Sequence, residues 1–210
     1  MSEADANHIQ SVLGAIEQTP ARKRMIIAIA GAPASGKSTL AEGVVNALNV
    51  SATNTACLVP MDGFHLDNAI LEERGLLGRK GAPETFDVSG LIACTERLRG
   101  ASEDIYVPVF DRQRDLAIAS ARHVPASCPI IVMEGNYLLL RQQPWLHLRD
   151  YFDLSVRLDV DTEHLDKRLV QRWLENGLSE EAAQARVMSN DIPNALLVTA
   201  NSAPADMTLS

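Results

Sequence analysis

Apolar positions along the chain follow two patterns, spaced clusters and unbroken runs. Ile9, Val12, Leu13 and Ile16 recur at i, i+3, i+4 and i+7, which predicts a helix over 8–18 with Asn7 as N-cap and Pro20 beyond its end. Residues 24–30 (RMIIAIA) form a continuous Ile-rich run, the composition of a strand buried on both faces of a parallel sheet. A Gly-rich turn and a helical pattern over 37–48 follow. TACLVPM (55–61) predicts a second strand, and residues 67–86, rich in Gly and charge, predict a loop or lid segment. A helix is expected over 88–99, with Asp87 as its cap. DIYVPVF (104–110) predicts a short strand that Pro108 confines to an edge. PIIVMEG (129–135) and YFDLSVRLDV (151–160) predict two further strands. Residues 161–177 form a helix capped by Asp161 or Thr162 and closed by Gly177, Ser179 opens a short helix, and ALLVTA (195–200) predicts a last strand.

Strands alternating with helices imply an α/β domain with a largely parallel sheet, in which ligands bind outside the carboxyl ends of the strands. The 210 residues suit a single domain, 1–210, with an N-terminal helix over 1–20 and a lid region over 161–190. A net charge of -8 argues against a nucleic-acid partner. The three cysteines form no C-x-x-C pair, which indicates neither zinc nor a disulfide framework. Without a basic, apolar leader or a stretch of membrane-spanning length, the expected setting is the cytoplasm and no membrane partner is expected.

Between the first strand and the next helix, Gly31-Ala32-Pro33-Ala34-Ser35-Gly36-Lys37-Ser38 fits G-x-x-x-x-G-K-[ST] without a mismatch, and Thr39 follows it. Successive amides of such a loop point inward at phosphate oxygens, and the helix it opens adds positive potential. Lys37 is expected on the β- and γ-phosphates and Ser38 on Mg²⁺, so ATP and Mg²⁺ are the implied cofactors. Asp62 and Glu134 each end an apolar run on the same sheet edge as this loop. Phosphoryl transfer needs a carboxylate to deprotonate the attacking hydroxyl and another to position the metal. Asp62 is the candidate base, and Glu134 the candidate for the metal and substrate side. Four positions are candidates for substrate contact: His65 in DGFHLDN, Arg79 and Lys80 in GRKGAPETFD, and Arg112, which shares FDRQR with Arg114. Leu165, Leu169 and Trp173 form an apolar stripe, beside which Arg168 and Arg172 stand one turn apart. On a helical lid these arginines would meet the γ-phosphate. A GTPase-type switch would need an N-K-x-D segment, which is absent. A non-catalytic nucleotide-binding regulator is disfavoured by the intact Lys37, Ser38, Asp62 and Glu134.

The order GAPASGKST, MDGFHLDN, GRKGAPETFD, VPVFDR, VMEGNYLLL, an Arg-rich helix and NDIPNALLV resembles the phosphoribulokinase/uridine kinase/bacterial pantothenate kinase group of P-loop kinases, and within it bacterial fructose transport system kinases. The resemblance implies a three-layer α/β/α P-loop fold with a five-stranded sheet of order 2-3-1-4-5 and a small helical lid. It implies Asp62 as catalytic base, Arg172 with Arg168 in the lid, and a Glu134-Gly135 pair followed by Asn136 at the substrate. The expected activity is transfer of the γ-phosphoryl group of ATP to a hydroxyl of a small metabolite, a sugar such as fructose leading over a nucleoside or pantothenate. A homodimer is left open. The chain lacks the long C-terminal extension of pantothenate kinases and the aromatic-histidine pieces by which uridine kinases hold a nucleoside.

Overall fold

The structure is a computed structural model. It describes residues 3–50, 52–100, 102–160 and 162–210, with the backbone alone for 162–164. Seven helices and seven strands succeed one another among the described residues: α1 (Glu3–Gln18), β1 (Met25–Gly31), α2 (Lys37–Leu48), β2 (Ala56–Pro60), α3 (Asn68–Glu73), α4 (Val88–Gly100), β3 (Ile105–Asp111), β4 (Leu116–Val124), β5 (Ile130–Gly135), β6 (Leu154–Leu158), α5 (Thr162–Glu175), α6 (Glu180–Arg186), α7 (Ile192–Asn201) and β7 (Met207–Leu209).

The main sheet runs β2-β5-β1-β6-β7, every pairing parallel. Counting only its own strands in chain order gives 2-3-1-4-5, as expected. Every residue of β1 is buried, which is why its sequence is an unbroken apolar run. Ile27, Ile29, Leu40, Val44, Val132 and Val156 pack one face of the sheet against α1 and α2. Ile26, Ala28, Met133, Leu91, Leu98 and Val198 fill the opposite face. A smaller third cluster joins Leu165 and Leu169 of α5 to Ala32 of the phosphate loop, Val187 and Ala195.

Some elements differ from expectation. Residues 195–200 lie inside α7, and the fifth strand is the three-residue β7. Pro193 stands in the first turn of α7, where a proline is tolerated. The segment 67–86 is not one loop: it contains α3, capped by Asp67, and two 3₁₀ turns at Leu77–Arg79 and Pro83–Thr85. α1 begins at Glu3, so Asn7 lies within it and is not its cap. The cap proposed at Asp161 or Thr162 falls outside the described side chains. β3 is an edge strand as Pro108 requires, with a register shift at that residue, and it pairs with β4, which sequence patterning passed over. Ser179 does cap α6, its hydroxyl accepting from the Ala182 amide.

Candidate active site

β1 delivers the chain into the phosphate loop, and α2 starts at Lys37. Gly36 sits at φ +94°, a conformation that favours glycine and lets the loop turn into the helix. Ala34 also has positive φ, at 61°. Such a conformation costs a non-glycine residue about 1–3 kcal/mol and marks a loop held in shape for a purpose. The Ser35 hydroxyl is buried and finds no partner among the described residues.

Register brings the carboxylates to this loop. Glu134 stands opposite Ile29 of β1 and Pro60 of β2. Asp62 follows Pro60 within the 3₁₀ turn Met61–Phe64. The Ser38 hydroxyl donates to Glu134 Oε2 at 3.1 Å, so the two groups proposed for the metal already touch. Burial pushes the Glu134 carboxyl above its ordinary range, against the pull of Lys37. Burial likewise pulls the Lys37 ammonium down, against the support of Glu134 and Asp62. At Asp62 the balance goes the other way. Burial raises its carboxyl, but the charges of His65, Arg112, Lys37 and Arg172 outweigh it and hold it below the usual value. Four groups named from sequence for one reaction, Asp62, Glu134, Lys37 and Arg172, thus share one electrostatic neighbourhood.

The acceptor side is built by the β3–β4 hairpin. A Cβ on Gly63 would lie 2.3 Å from the Pro108 oxygen, so only glycine lets β3 lie against the turn that carries Asp62. That approach puts Arg112 beside the carboxylate, its Nη2 donating to Asp62 Oδ2 at 2.7 Å. Arg114, by contrast, stays at the hairpin turn with Asp111. His65 Nδ1 lies 2.8 Å from the Asp62 carbonyl, which can only accept, so the proton sits on Nδ1. Its ring packs against Phe86 and Phe110, tilted to both, at centroid distances of 4.1 and 4.5 Å. Lys80 is buried, and its ammonium is taken up by Asn68 and Asp115. Arg79 donates to Asn190 and Ser189. Both residues shape the wall near the site through contacts within the chain. Asn136, just past β5, has a side-chain oxygen out of water with no donor among the described residues.

The two arginines of α5 are separated. Burial and the Arg112 charge lower the Arg172 pKa against the pull of Asp191 and Asp62; its guanidinium lies 5.4 Å from the Trp173 ring centroid, and its buried Nε has no partner among the described residues. Arg168 lines a cleft of about 830 Å³ on the outer side of the phosphate loop, with Thr39, Leu158, Asp159 and Leu196. Sequence reasoning passed over Arg186. It donates to the Gly78 and Lys80 carbonyls and stacks on Trp173, whose indole N–H bonds Asp191. A periodic reading from the Trp173 stripe does not reach it, because α5 ends at Glu175 and the chain turns through Gly177, at φ +88°, before α6 begins.

The residues suit a hard dication that keeps most of its ligands as water and phosphate oxygens. Ser38 and Glu134 offer two oxygens, and no cluster of three or more His, Cys, Asp or Glu among the described residues would cage an ion alone.

A phosphate loop between a central buried strand and a helix, on a parallel sheet of order 2-3-1-4-5 with carboxylates on neighbouring strand ends, defines a P-loop kinase. The chain belongs to the phosphoribulokinase/uridine kinase family, which matches it over residues 26–196. Kinases of this family are phosphotransferases with hydroxyl acceptors that use ATP. A crystal structure of a candidate fructose transport system kinase from Silicibacter sp. TM1040 superposes with a TM-score of 0.87 at 46% identity, covering 97% of this chain and 98% of that one. The uncharacterized protein YggC of Escherichia coli K12 is 35% identical over 93% of this chain and 81% of its own length. A candidate uridine kinase of Schizosaccharomyces pombe is 31% identical over 93% of this chain and 86% of its own. No helix among the described residues is long and apolar enough to cross a membrane.

Proposed function

We propose that the protein transfers the γ-phosphoryl group of ATP to a hydroxyl of a small polyhydroxylated metabolite, a sugar such as fructose leading. The observation that carries this reading is the convergence of Asp62, Glu134 and Arg172 on Lys37 of the phosphate loop, with Glu134 bonded to Ser38. Residues Gly31 to Thr39 would wrap the phosphates, and the cleft beside Arg168 has room for the base and ribose. Asp62, kept ionised by its cationic neighbours, would take the proton of the acceptor hydroxyl as its oxygen bonds to phosphorus and the bond to ADP breaks. Ser38 and Glu134 would hold Mg²⁺, which, when bound, neutralises phosphate charge. Arg172 would meet the transferring group from a lid spanning 161–190. A sugar is favoured over a nucleoside because His65 already packs against two rings of the chain itself, Phe86 and Phe110, instead of standing free to stack on a base.

A screen for ADP release over sugars, nucleosides and vitamins with ATP and Mg²⁺ tests this. Asp62→Asn should slow the chemical step by about 10²–10⁴-fold, as expected for loss of a general base, while ATP affinity by calorimetry stays nearly unchanged. A variant that loses ATP binding but keeps its rate would place Asp62 on the metal instead. Lys37→Ala turning over the identified substrate within about twofold of the parent would remove the phosphate-loop reading.

A further inference from the structure

Glu134 and Asp191 are buried equally deeply, each 5% exposed, and only Glu134 has a part in the transfer reading on which this inference rests. Asp191 closes a π turn over Val187–Asp191, a kind of turn often found at functional sites. Its Oδ2 accepts from the Trp173 indole N–H at 2.6 Å. The guanidiniums of Arg172 and Arg186 lie 5.4 and 5.2 Å from the centroid of that same indole. Arg186 is tied to the Gly78 and Lys80 carbonyls, whereas the buried Nε of Arg172 has no partner among the described residues. One carboxylate, one indole and two guanidiniums thus form a cluster, and Arg172 is the member that bonds hold least.

The bond to Trp173 does not account for the charge of Asp191. An asparagine there would accept the same indole proton without the cost of burying a carboxylate. Burial pushes the Asp191 carboxyl above its ordinary range, against the Trp173 bond and the Arg172 and Arg186 charges, which favour its ionised form. Arg172 has the matching need. Burial and the Arg112 charge work against its guanidinium, and Asp191, ahead of Asp62, supports it. Asp62 cannot remain its counter-ion through the proposed reaction, because a general base loses its charge as it takes the acceptor's proton. That is the step at which Arg172 must face the transferring group, and a group that stabilises a transition state acts best when it is held in place beforehand.

We propose that Asp191 is the positioning residue of the lid arginine: its carboxylate, fixed by the Trp173 indole, is the lasting counter-ion that holds Arg172 ready for the phosphoryl group while Asp62 changes charge. Asp191 acts through Arg172 and on neither substrate. Without its charge, the guanidinium is left to Asp62, whose pull disappears at the chemical step.

The test is a double-mutant cycle on the rate of transfer from ATP labelled in the γ-phosphoryl group, with Mg²⁺ and an extract of small metabolites as the source of acceptor. Arg172→Ala should cut the maximal rate at least about tenfold. Asp191→Asn should cut it about three- to tenfold, with the KM for ATP changed less than about twofold and the melting temperature no lower than that of the parent. In the Arg172→Ala background, Asp191→Asn should cost nothing further, because no guanidinium is left to position. Asp191→Ser keeps a hydroxyl for the indole proton and should give the same cycle, so it carries the test if Asp191→Asn fails to fold. Neutral variants at 191 that turn over as fast as the parent overturn the proposal. So does a rate loss as large in the Arg172→Ala background as in the parent, which is the mark of a purely structural role. Full turnover in Arg172→Ala refutes the lid reading, and this inference with it. No labelled product from protein that binds ATP removes the transfer reading itself.

Discussion

Arg24 and Arg112 show how differently one side chain can be used. Arg24 is 1% exposed, and all four of its hydrogen bonds go to backbone carbonyls: Nε to Cys128 at 2.8 Å, Nη1 to Leu98 at 3.0 Å, and Nη2 to Pro125 at 2.6 Å and Ala126 at 2.8 Å. Burial lowers its pKa, yet its fixed partners stitch the end of α4 and the turn before β5 to the start of β1. Arg24→Ala would leave those carbonyls without their donor. At about 1–3 kcal/mol for each buried group left unsatisfied, and with some replaced by water, a loss of roughly 3 kcal/mol or more is expected. The urea midpoint should fall with the slope of the transition unchanged, and ATP affinity should stay intact in the folded fraction. Arg24→Lys should recover part, because three donors on a point charge cannot reach four carbonyls. The sequence marks Arg24 only as the first letter of a strand. Its partners lie 74 to 104 positions away, beyond the reach of any local pattern. Lys37, Ser38, Asp62 and Glu134 were legible because each belongs to a short motif whose chemistry is local, a phosphate turn or a carboxylate after an apolar run.

At the scale of elements, what was legible follows from burial. β1, β2, β5 and β6 are covered on both faces or nearly so, and their apolar runs announce them. β4 is largely exposed, and its alternation of small and polar residues packs against little, so nothing in its sequence marks it. Residues 195–200 are as apolar as a strand because Ala195 and Val198 of α7 are buried against two clusters. A short apolar run does not by itself distinguish a buried helix from a buried strand. β7 is three residues long and is held by a device outside it. Asp206 Oδ2 accepts from the Ser155 amide at 2.8 Å and from the Ser155 hydroxyl at 2.6 Å. Burial raises the Asp206 carboxyl, but these two donors outweigh it and hold it below its ordinary value. A depressed carboxyl adds stability that is present above the unfolded pKa of about 3.9 and is lost as pH falls through the lower folded value. Asp206→Ala should therefore cost about 1 kcal/mol at neutral pH, the modest net value of charge-assisted bonds at an exposed residue. The difference from the parent should vanish at the acid end. Melting curves over a pH series from neutral down through the acid range check both parts, and a loss that stays the same at every pH would show that Asp206 acts through packing alone.

For the whole molecule, the consequential feature is that one helical unit touches both the phosphate loop and the segment 78–81. α5 packs Leu165 and Leu169 onto Ala32 of the phosphate loop, in a cluster that includes Val187. From α6 and the π turn after it, Arg186 donates to the Gly78 and Lys80 carbonyls, and the buried Asn190 amide donates to Lys80 as well. Tyr137, just past β5, holds the same segment through the Gly81 carbonyl. In the proposed reaction, nucleotide contacts at one end and acceptor contacts at the other would bias the position of a single body, which is the physical requirement for coupled binding. Arg186→Ala removes two of the bonds on the acceptor end and one face of the Trp173 stack, and leaves the Leu165, Leu169 and Ala32 contact in place. ATP affinity should therefore change little. The affinity for the acceptor should fall about tenfold, and the factor by which ATP strengthens acceptor binding should shrink towards one, a loss of about 1.4 kcal/mol of coupling. Calorimetric titration of acceptor with and without a non-hydrolysable ATP analogue reads that factor directly. Hydrogen exchange over residues 78–85 gives a second readout: in the parent the nucleotide should slow exchange there, and in Arg186→Ala it should not. A variant with weaker acceptor binding but an unchanged coupling factor would mean that Arg186 only shapes the acceptor wall, and that the helical unit does not connect the two sites.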